Sequence, residues 1–429
     1  MRAPIALLPF ACLLSGCDPD PAELLAAEAS PASAAPAEDE ISQEELERMT
    51  EAIKVEVEEL RGAKFTGPVR VAVTDTKGFR DYVTKRLERM VTPEELAADE
   101  EVAKLLGVLP ADYPYLDEML ELVEAQVGGF YDPQSKSFYL MSTFTGGMAR
   151  IILAHELTHA LDDQLFDIDT AMQERRSNSD ALWAYQAVVE GSGTAVMSRW
   201  TMKNMFELDR EELQESASMG MDELAEAPTY LWKPLLGSYT KGQSFLNKAP
   251  DDLGLAEGIA RAFQSPPLSS EQVLHPEKYW DPEERDDPVL VELDREALPA
   301  GWKVLDEDTL GELGLGLMIE PLEKRGGVGN AMAAMTARLT WKAVKGWGGD
   351  RYALLGKGDD RLLVLATVWD REKDATEFER EVEELRAHLE QSGAALHVAR
   401  QEDRVHVALA TGAGVDLAAD SAGWARISR

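Results

Sequence analysis

The sequence predicts an α+β fold, with a mainly helical domain that contains a short strand edge, followed by a small C-terminal α+β domain. Apolar residues recur at helical spacing in long segments between residues 42 and 263. Two short apolar runs at 130–131 and 138–141 flank a turn-forming segment and predict a hairpin. From about residue 304, strand and helix patterns mix. Because 429 residues exceed one ordinary domain, we place a boundary between residues 298 and 299.

The first 16 residues have the pattern of a signal peptide. An apolar run at 3–14 is shorter than the ~20 residues of a membrane-spanning helix. Leu14-Ser15-Gly16-Cys17 follows it and resembles the lipobox of bacterial lipoproteins. The resemblance implies cleavage before Cys17 and a lipid on its thiol, which would anchor the protein to a membrane of the bacterial cell envelope, outside the cytoplasm. An ordinary secretory signal with an incidental cysteine is the alternative.

Residues 17–40 predict a disordered tether between the lipid and the folded domains. They are rich in Ala, Pro, Glu and Ser and contain no aromatic residue, so they cannot bury enough apolar surface to fold. The remaining chain divides into a domain at 41–298 and a C-terminal domain at 299–429. Whether the tether holds them in the periplasm or on the outer surface stays open.

Charge and cysteine content restrict the partners and the ligands. Acidic residues outnumber basic ones by 79 to 43, which gives a formal net charge of −36. Phosphate backbones repel such a polyanion, which argues against nucleic acid as a partner. The only cysteines, Cys12 and Cys17, lie at the N-terminus. A metal site in the body of the protein must therefore use His, Asp or Glu.

Local patterns predict the elements up to residue 164. Ser42 and Glu45 have capping-box spacing at the start of the first helix. An alternating pattern predicts a strand at 69–73, and Gly128-Gly129 interrupts the helical pattern before the hairpin. Helices are predicted at 42–60, 78–90, 92–106, 115–127 and 149–164.

The second half of the chain predicts fewer and less regular elements. A helix at 182–203 is expected to be broken or narrowed by Gly191 and Gly193, and acidic helices extend to about residue 263. Residues 265–298 are rich in Pro, Asp and Glu and predict a loop. Beyond them we expect an element at 331–337, helices at 309–318 and 374–391, and strands at 352–355, 362–369, 395–400 and 405–411.

The segment His155-Glu156-Leu157-Thr158-His159 predicts a metal site. Because it lies in a predicted helix, His155 and His159 lie four residues apart on one face and can point to one ion. Glu156 lies about 100° further around the axis, where it can act as a base toward water rather than as a ligand. The apolar neighbours predict a buried helix, in which unpaired polar side chains would be costly.

A catalytic zinc site needs a third protein ligand and one open position. No cysteine is available, so we expect a carboxylate from another helix. Glu190 is the best candidate, since it follows an apolar helical run and precedes glycines that permit close approach. Glu174 and Asp180 are rivals in a more polar stretch, and a solvated Glu190 at a helix end is the alternative.

These motifs resemble the gluzincin branch of the zincin metallopeptidases. The chain is more closely similar to a group of bacterial proteins in that branch, through segments at 129–133, 155–164, 190–191 and 271–279. The likeness extends from about residue 127 to 279. It implies a zincin-like fold for 41–298, one catalytic Zn²⁺ held by His155, His159 and Glu190, and hydrolysis of a peptide or protein substrate.

The resemblance also implies how substrate and ligands are held. An extended peptide would add to a strand edge, for which 138–141 is the candidate. Many gluzincins have an Asp four residues after the glutamate ligand, where this chain has Thr194. Asp163, four residues after His159, is the alternative acceptor for orienting a histidine.

The last predicted component is an electrophile for the developing oxyanion. His275, in the predicted loop, is one candidate, and Tyr239 and Tyr131 are rivals. The alternative for His275 is simple packing against Tyr279 or Trp280.

Together these features predict zinc-dependent peptide-bond hydrolysis by a membrane-anchored lipoprotein, with Glu156 as the base. A non-catalytic envelope lipoprotein with a structural metal or a bracing helix pair is the alternative. A third reading is hydrolysis of an amide that is not a protein, such as a peptidoglycan cross-link. The sequence indicates no oligomeric state.

Overall fold

The computed structural model describes residues 40–209, 224, 226–320, 322 and 337–428. The predicted signal peptide, Cys17, the tether up to residue 39 and residues 331–336 lie outside this part of the chain. The described part is an α+β fold, as predicted. None of its helices is both long and apolar enough to cross a membrane.

The elements are numbered here in chain order. The helices are α1 (Gln43–Arg61), α2 (Thr76–Met90), α3 (Pro93–Leu105), α4 (Tyr115–Gln126), α5 (Gly146–Phe166), α6 (Ile168–Glu174), α7 (Ser179–Asn204), α8 (Thr229–Leu246), α9 (Gly254–Gln264), α10 (Ser270–Leu274), α11 (Glu277–Trp280), α12 (Gly311–Met318), α13 (Glu372–Glu384) and α14 (Arg386–Leu389). The strands are β1 (Arg70–Thr74), β2 (Gly129–Asp132), β3 (Ser137–Met141), β4 (Leu290–Leu293), β5 (Lys303–Asp308), β6 (Trp347–Lys357), β7 (Asp360–Trp369), β8 (Ala395–Gln401), β9 (Arg404–Ala410) and β10 (Ala425–Ser428).

A small sheet lies beside the helices of the first domain. Its strand order is β1-β3-β2, with β1 parallel and β2 antiparallel to β3. The side-chain amide of Gln43 covers the outer edge of β1: it donates to the Val71 carbonyl at 2.8 Å and accepts from the Val73 N–H at 3.2 Å. Within the described residues β2 pairs only with β3, so β2 is the edge that can accept a further strand.

Helix α7 passes between α5 and α8 without a break. A Cβ at Gly191 would lie 2.3 Å from the carbonyl carbon of Gly242 in α8, so both glycines let the two helix backbones touch. The expectation that Gly191 and Gly193 break the helix is therefore wrong, because their effect is on packing between helices. Their predicted use for close approach is confirmed.

The C-terminal part contains a five-stranded antiparallel sheet in the order β5-β6-β7-β9-β8, with α13 packed against it. The chain end returns as β10 and pairs with β4. The loop predicted at 265–298 is therefore wrong, since α10, α11 and β4 lie in it. Strand β4 packs on β6, although it precedes the predicted boundary at residue 299. A strand of four residues next to prolines gives too short a pattern to be recognised.

The two parts share one hydrophobic core, which includes Trp183, Leu313 and Trp347. Carboxylates bind backbone N–H groups at the starts of two helices, and the first of these contacts crosses the junction between the two parts. Asp308 accepts from the Ser179 N–H at 2.9 Å at the start of α7, and Asp350 accepts from the Gly311 N–H at 2.8 Å at the start of α12. Side-chain oxygens are favourable acceptors at a helix N-terminus, where N–H groups lack partners within the helix. The C-terminal sheet therefore fixes the start of α7.

Candidate metal centre

Two imidazoles meet on the inner face of α5. The Nε2 atoms of His155 and His159 lie 2.9 Å apart, and the rings stand at 88° to each other. Both side chains are nearly buried, each with 7% of its surface exposed. The four-residue spacing in the helix therefore directs both ring nitrogens to one point, as the sequence predicts.

Helix α7 brings the carboxylate of Glu190 to the same point. Its Oε2 lies 3.2 Å from Nε2 of His155 and 3.4 Å from Nε2 of His159. One ligand atom from each of the three residues lies within 4.8 Å of the others. The rival carboxylates lie elsewhere: Asp180 accepts from the Ser270 N–H at 3.0 Å, and the Glu174 side chain is 70% exposed.

The chemistry of this trio fits a divalent cation. Burial opposes ionisation of Glu190, but the charges and hydrogen bonds of the two histidines outweigh it and lower its pKa to about 2. A buried carboxylate that stays ionised requires positive charge beside it. Two imidazole nitrogens and one carboxylate oxygen are a donor set that suits zinc.

Glu156 lies beside the trio on the wall of a cavity. Burial raises its pKa to about 7, and the Glu190 charge adds to this effect. The charge of His155 and a hydrogen bond from the Tyr131 backbone N–H act in the opposite direction. A carboxyl group with a pKa near 7 can both accept and release a proton at neutral pH.

Gly193 leaves room for the imidazoles. A Cβ at this position would lie 2.7 Å from Cε1 of His155 and 2.9 Å from Cε1 of His159. Real Cβ atoms do not approach other atoms so closely, so any other residue would displace the rings or α7. The sequence predicts the need for a small residue here but not its contact with both rings.

Asp163 does not orient a histidine, and that prediction is wrong. Its carboxylate accepts from the Tyr131 hydroxyl at 2.8 Å and from Lys136 Nζ at 2.7 Å, so it fastens the β2–β3 hairpin to α5. Within the described residues, the Nδ1 atoms of His155 and His159 have no hydrogen-bond partner. The orientations of the two imidazole rings are set instead by packing and by the contacts of their Nε2 atoms with the Glu190 carboxylate.

The adjacent residue, Asp162, links α5, which carries the two histidines, to two other helices. Its buried carboxylate accepts from Arg61 Nε at 2.7 Å and from Ser192 Oγ at 2.5 Å. These contacts join α5 to α1 and to α7, two residues after Glu190. Sequence reasoning missed Asp162, although a second acid next to Asp163 and an unassigned arginine at the end of α1 were the available signals.

His275 lies away from the trio, and its predicted role is corrected. Its Nε2 is 2.9 Å from Oε1 of the buried Glu312, and it is not among the residues that line the cavity. It belongs to the end of α10, whose start contacts Asp180. Glu190 lies ten residues, or about 15 Å, further along α7.

The two tyrosines that rivalled His275 both line the cavity. The Tyr239 ring stacks on His155, with centroids 5.7 Å apart, and its hydroxyl shares a hydrogen bond with Glu190. Burial and the adjacent Glu190 raise the pKa of Tyr239 well above its usual value, so the hydroxyl stays protonated and donates. Tyr131 gives its hydroxyl to Asp163 instead.

The strand edge beside the cavity is β2, and the predicted edge at 138–141 is wrong. Those residues form β3, the central strand, whereas the segment Gly128–Tyr131 lines the cavity. The Met141 N–H donates to the Gly128 carbonyl, and the Tyr131 N–H turns away from β3 toward Glu156. By the alternation of a strand, the backbone groups of Gly129 also point away from β3.

Comparisons with known proteins bear only on the C-terminal part. A family model described as a domain of unknown function, DUF8575, matches residues 301–420. These residues contain the five-stranded sheet and none of the described residues that line the cavity. No curated protein and no solved structure matches the chain. The interpretation of α5 and α7 as a candidate metal centre therefore depends on their geometry alone.

Proposed function

We propose that this protein is a zinc-dependent peptidase of the gluzincin type, anchored to the bacterial cell envelope through a lipid on Cys17. The observation that carries the proposal is the convergence of His155, His159 and Glu190 from two helices, with Glu156 beside them on a cavity wall. Three protein ligands leave one position of a tetrahedral ion for water or substrate, as catalytic sites require. A bracing metal would close that position with a fourth ligand.

Zinc held by these residues would supply Lewis acidity, which makes water more acidic and polarises a carbonyl oxygen. Glu156 takes the proton of the attacking water and delivers it to the leaving nitrogen. Its pKa of about 7 suits both transfers. The Tyr131 backbone N–H holds the carboxylate in place. The protonated Tyr239 hydroxyl donates a hydrogen bond to Glu190 and holds that carboxylate in place.

The β2 edge provides a place for the substrate main chain. The backbone groups of Gly129 and the Tyr131 carbonyl point away from β3, while the Tyr131 N–H is bound to Glu156, and the segment that contains both residues lines the cavity. An extended peptide that pairs with this edge would place its carbonyl groups along the cavity in a fixed register. A peptide or protein segment therefore fits the site better than a compact amide.

The test combines metal analysis with turnover. Glu156→Gln should retain one zinc per chain and lose peptide cleavage, because the amide cannot take up a proton. The matched control is Glu283→Gln, in an exposed loop, which should keep both properties. Equal turnover in Glu156→Gln and the wild type would refute the assigned base.

One further result decides between the proposal and a non-catalytic lipoprotein. Zinc that binds without any cleavage would favour a bracing metal. The anchor is tested separately with Cys17→Ser, which should move the full-length protein from the membrane fraction to the soluble fraction. Retention of that variant in the membrane fraction would contradict lipidation at Cys17.

A further inference from the structure

We infer that the N-terminal helix α1 positions the metal ligands from outside the site: Arg61, acting through Asp162, holds α7 at the distance from α5 at which Glu190 meets the two histidines. Arg61 and Asp162 are positioning residues, and neither is among the described residues that line the cavity. The inference rests on the proposed function and deepens it, because it adds a third helix to the construction of the metal centre.

Asp162 lies on the face of α5 that carries the histidines. It follows His155 by seven residues, or nearly two full turns, so the two side chains point within about 20° of each other around the axis. It follows His159 by three residues, or about 4.5 Å along the axis. This face of α5 therefore meets α7 at two levels, through the imidazoles and through the buried carboxylate of Asp162.

The Ser192 hydroxyl fixes α7 to that carboxylate. Its Oγ donates to Oδ2 of Asp162 at 2.5 Å, and Ser192 follows Glu190 by two residues, or about 3 Å along the axis of α7. Gly193 limits how closely α7 can approach the imidazoles, and the bond between Ser192 and Asp162 limits how far α7 can move away. Because bonds from zinc to nitrogen and oxygen ligands are all about 2 Å long, the ion requires a fixed separation of the two helices.

Arg61 holds the other oxygen of the same carboxylate. Its Nε donates to Oδ1 of Asp162 at 2.7 Å, and both side chains are buried. Its Nη1 donates to the Ala256 carbonyl in α9 at 3.3 Å, and the guanidinium carbon lies 5.9 Å from the centroid of the Phe166 ring. The position of the guanidinium is thus set by α9 and by the end of α5 as well as by α1, and it imposes one orientation on the carboxylate.

The carboxylate depends on this cation. Burial raises the pKa of Asp162, whereas the charge of Arg61 and the hydrogen bonds from Ser192 and Arg61 act in the opposite direction. A buried carboxylate that lost its cation would take up a proton or turn toward another donor. In either case the acceptor for Ser192 is weakened or lost, and α7 is no longer held at its distance from α5.

Ser192→Ala tests the link to α7 and leaves the ion pair in place. We expect zinc affinity, measured by competition with a chromophoric chelator, to fall about 10- to 100-fold, as is typical when a group that orients metal ligands from outside is removed. The visible absorption spectrum of the Co²⁺-substituted protein, which depends on ligand geometry, should change as well.

The matched control for Ser192→Ala is Ser421→Ala in the C-terminal part. Ser421 is also buried, and its hydroxyl donates to the Ala418 carbonyl at 2.7 Å. This variant should lower thermal stability and leave the zinc affinity and the Co²⁺ spectrum unchanged. The comparison separates a positioning role from the loss of any buried hydrogen bond.

Arg61→Lys tests the contribution of α1. Lysine keeps a positive charge beside Asp162 but lacks the planar fork that orients the carboxylate, so zinc binding should weaken by about tenfold or more. Because Arg61 and Ser192 act through the same carboxylate, the double variant Arg61→Lys/Ser192→Ala should bind zinc about as tightly as the weaker-binding single variant. Circular dichroism checks that the variants have the wild-type helix content.

The outcomes separate this inference from the proposed function. Wild-type zinc affinity in Ser192→Ala or Arg61→Lys, or an equal loss in Ser421→Ala, overturns the inference and leaves the peptidase proposal standing. So does a loss in the double variant equal to the product of the two single losses, since Arg61 would then act by another route. Zinc binding that weakens as expected in a protein that cleaves no peptide contradicts the proposed function alone. A wild-type protein that binds no zinc contradicts both.

Discussion

Gly193→Ala should weaken zinc binding, because α7 approaches both imidazoles at this residue. The added Cβ would lie 2.7 Å from Cε1 and 2.9 Å from Nδ1 of His155, and 2.9 Å from Cε1 of His159. His155 cannot move freely, since the Tyr239 ring stacks on it. The Ser192 hydroxyl, one residue away, is bound to Asp162 and fixes α7 against α5. The strain is therefore borne by the predicted ligands.

The size of the effect follows from two opposing contributions. Overpacking of a tight site costs about 1–3 kcal/mol. Replacing glycine by alanine inside a helix contributes about 1 kcal/mol in the opposite direction, which keeps the variant folded. The gain in helix propensity is the same with and without zinc, so only the strain enters the affinity. Since 1.4 kcal/mol corresponds to a tenfold change, about 1–3 kcal/mol of strain should weaken zinc binding about 5- to 150-fold.

Zinc affinity can be measured by competition with a chromophoric chelator, together with thermal unfolding at several zinc concentrations. The matched control is Gly258→Ala in α9, where a Cβ would lie 2.8 Å from the Ala249 methyl group, away from the trio. That variant should change thermal stability without changing zinc affinity. Unchanged affinity in Gly193→Ala, or equal weakening in both variants, would refute the reasoning.

Two further predictions concern the neighbours of the trio. Tyr239→Phe should weaken zinc binding about 10- to 100-fold, because Glu190 loses a hydrogen bond worth about 1.5–3 kcal/mol. Asp308→Asn should flatten the dependence of stability on pH. Burial raises the pKa of Asp308 from 3.8 to about 7, so between these values the folded protein binds a proton that the unfolded chain has released. The free energy of unfolding therefore falls by a few kcal/mol as pH rises across this interval, and asparagine removes that part of the slope.

A different result would contradict each of these two predictions. Wild-type zinc affinity in Tyr239→Phe would show that packing alone holds Glu190. For Asp308, urea unfolding of the wild type and the variant at several pH values between 4 and 7 gives the difference in slope. Parallel curves would show that the Asp308 carboxyl does not change its protonation on folding.

The residues of the candidate metal centre were predictable because they depend on local geometry and on elimination. The spacing of His155 and His159 fixes their common helix face wherever α5 lies in the fold. Glu190 followed from its apolar surroundings, since a lone buried carboxylate is costly. Neither argument needed the arrangement of the other elements, and the structure brings all three side chains together.

The strand edge was not predictable in this way, because strand order is set by contacts distant in sequence. The two strands of the hairpin have similar apolar patterns, and nothing in them says which one is central. The decision comes from β1, where Val71 pairs with Phe138 in β3, and from Gln43, which covers the other edge of β1. The choice between Asp162 and Asp163 is likewise made by Arg61 and Lys136, on other elements.

The C-terminal part gains a role from the same geometry. Helix α7 is continuous from Ser179 to Asn204, so a displacement at its start is carried along the helix to Glu190. Ser179 is bound by Asp308, which belongs to the residues matched by the family model. None of the described residues lining the cavity comes from that part of the chain, yet the helix that supplies the third predicted ligand begins against it. The C-terminal sheet therefore contributes to the site by fixing the position of α7 rather than by chemistry of its own.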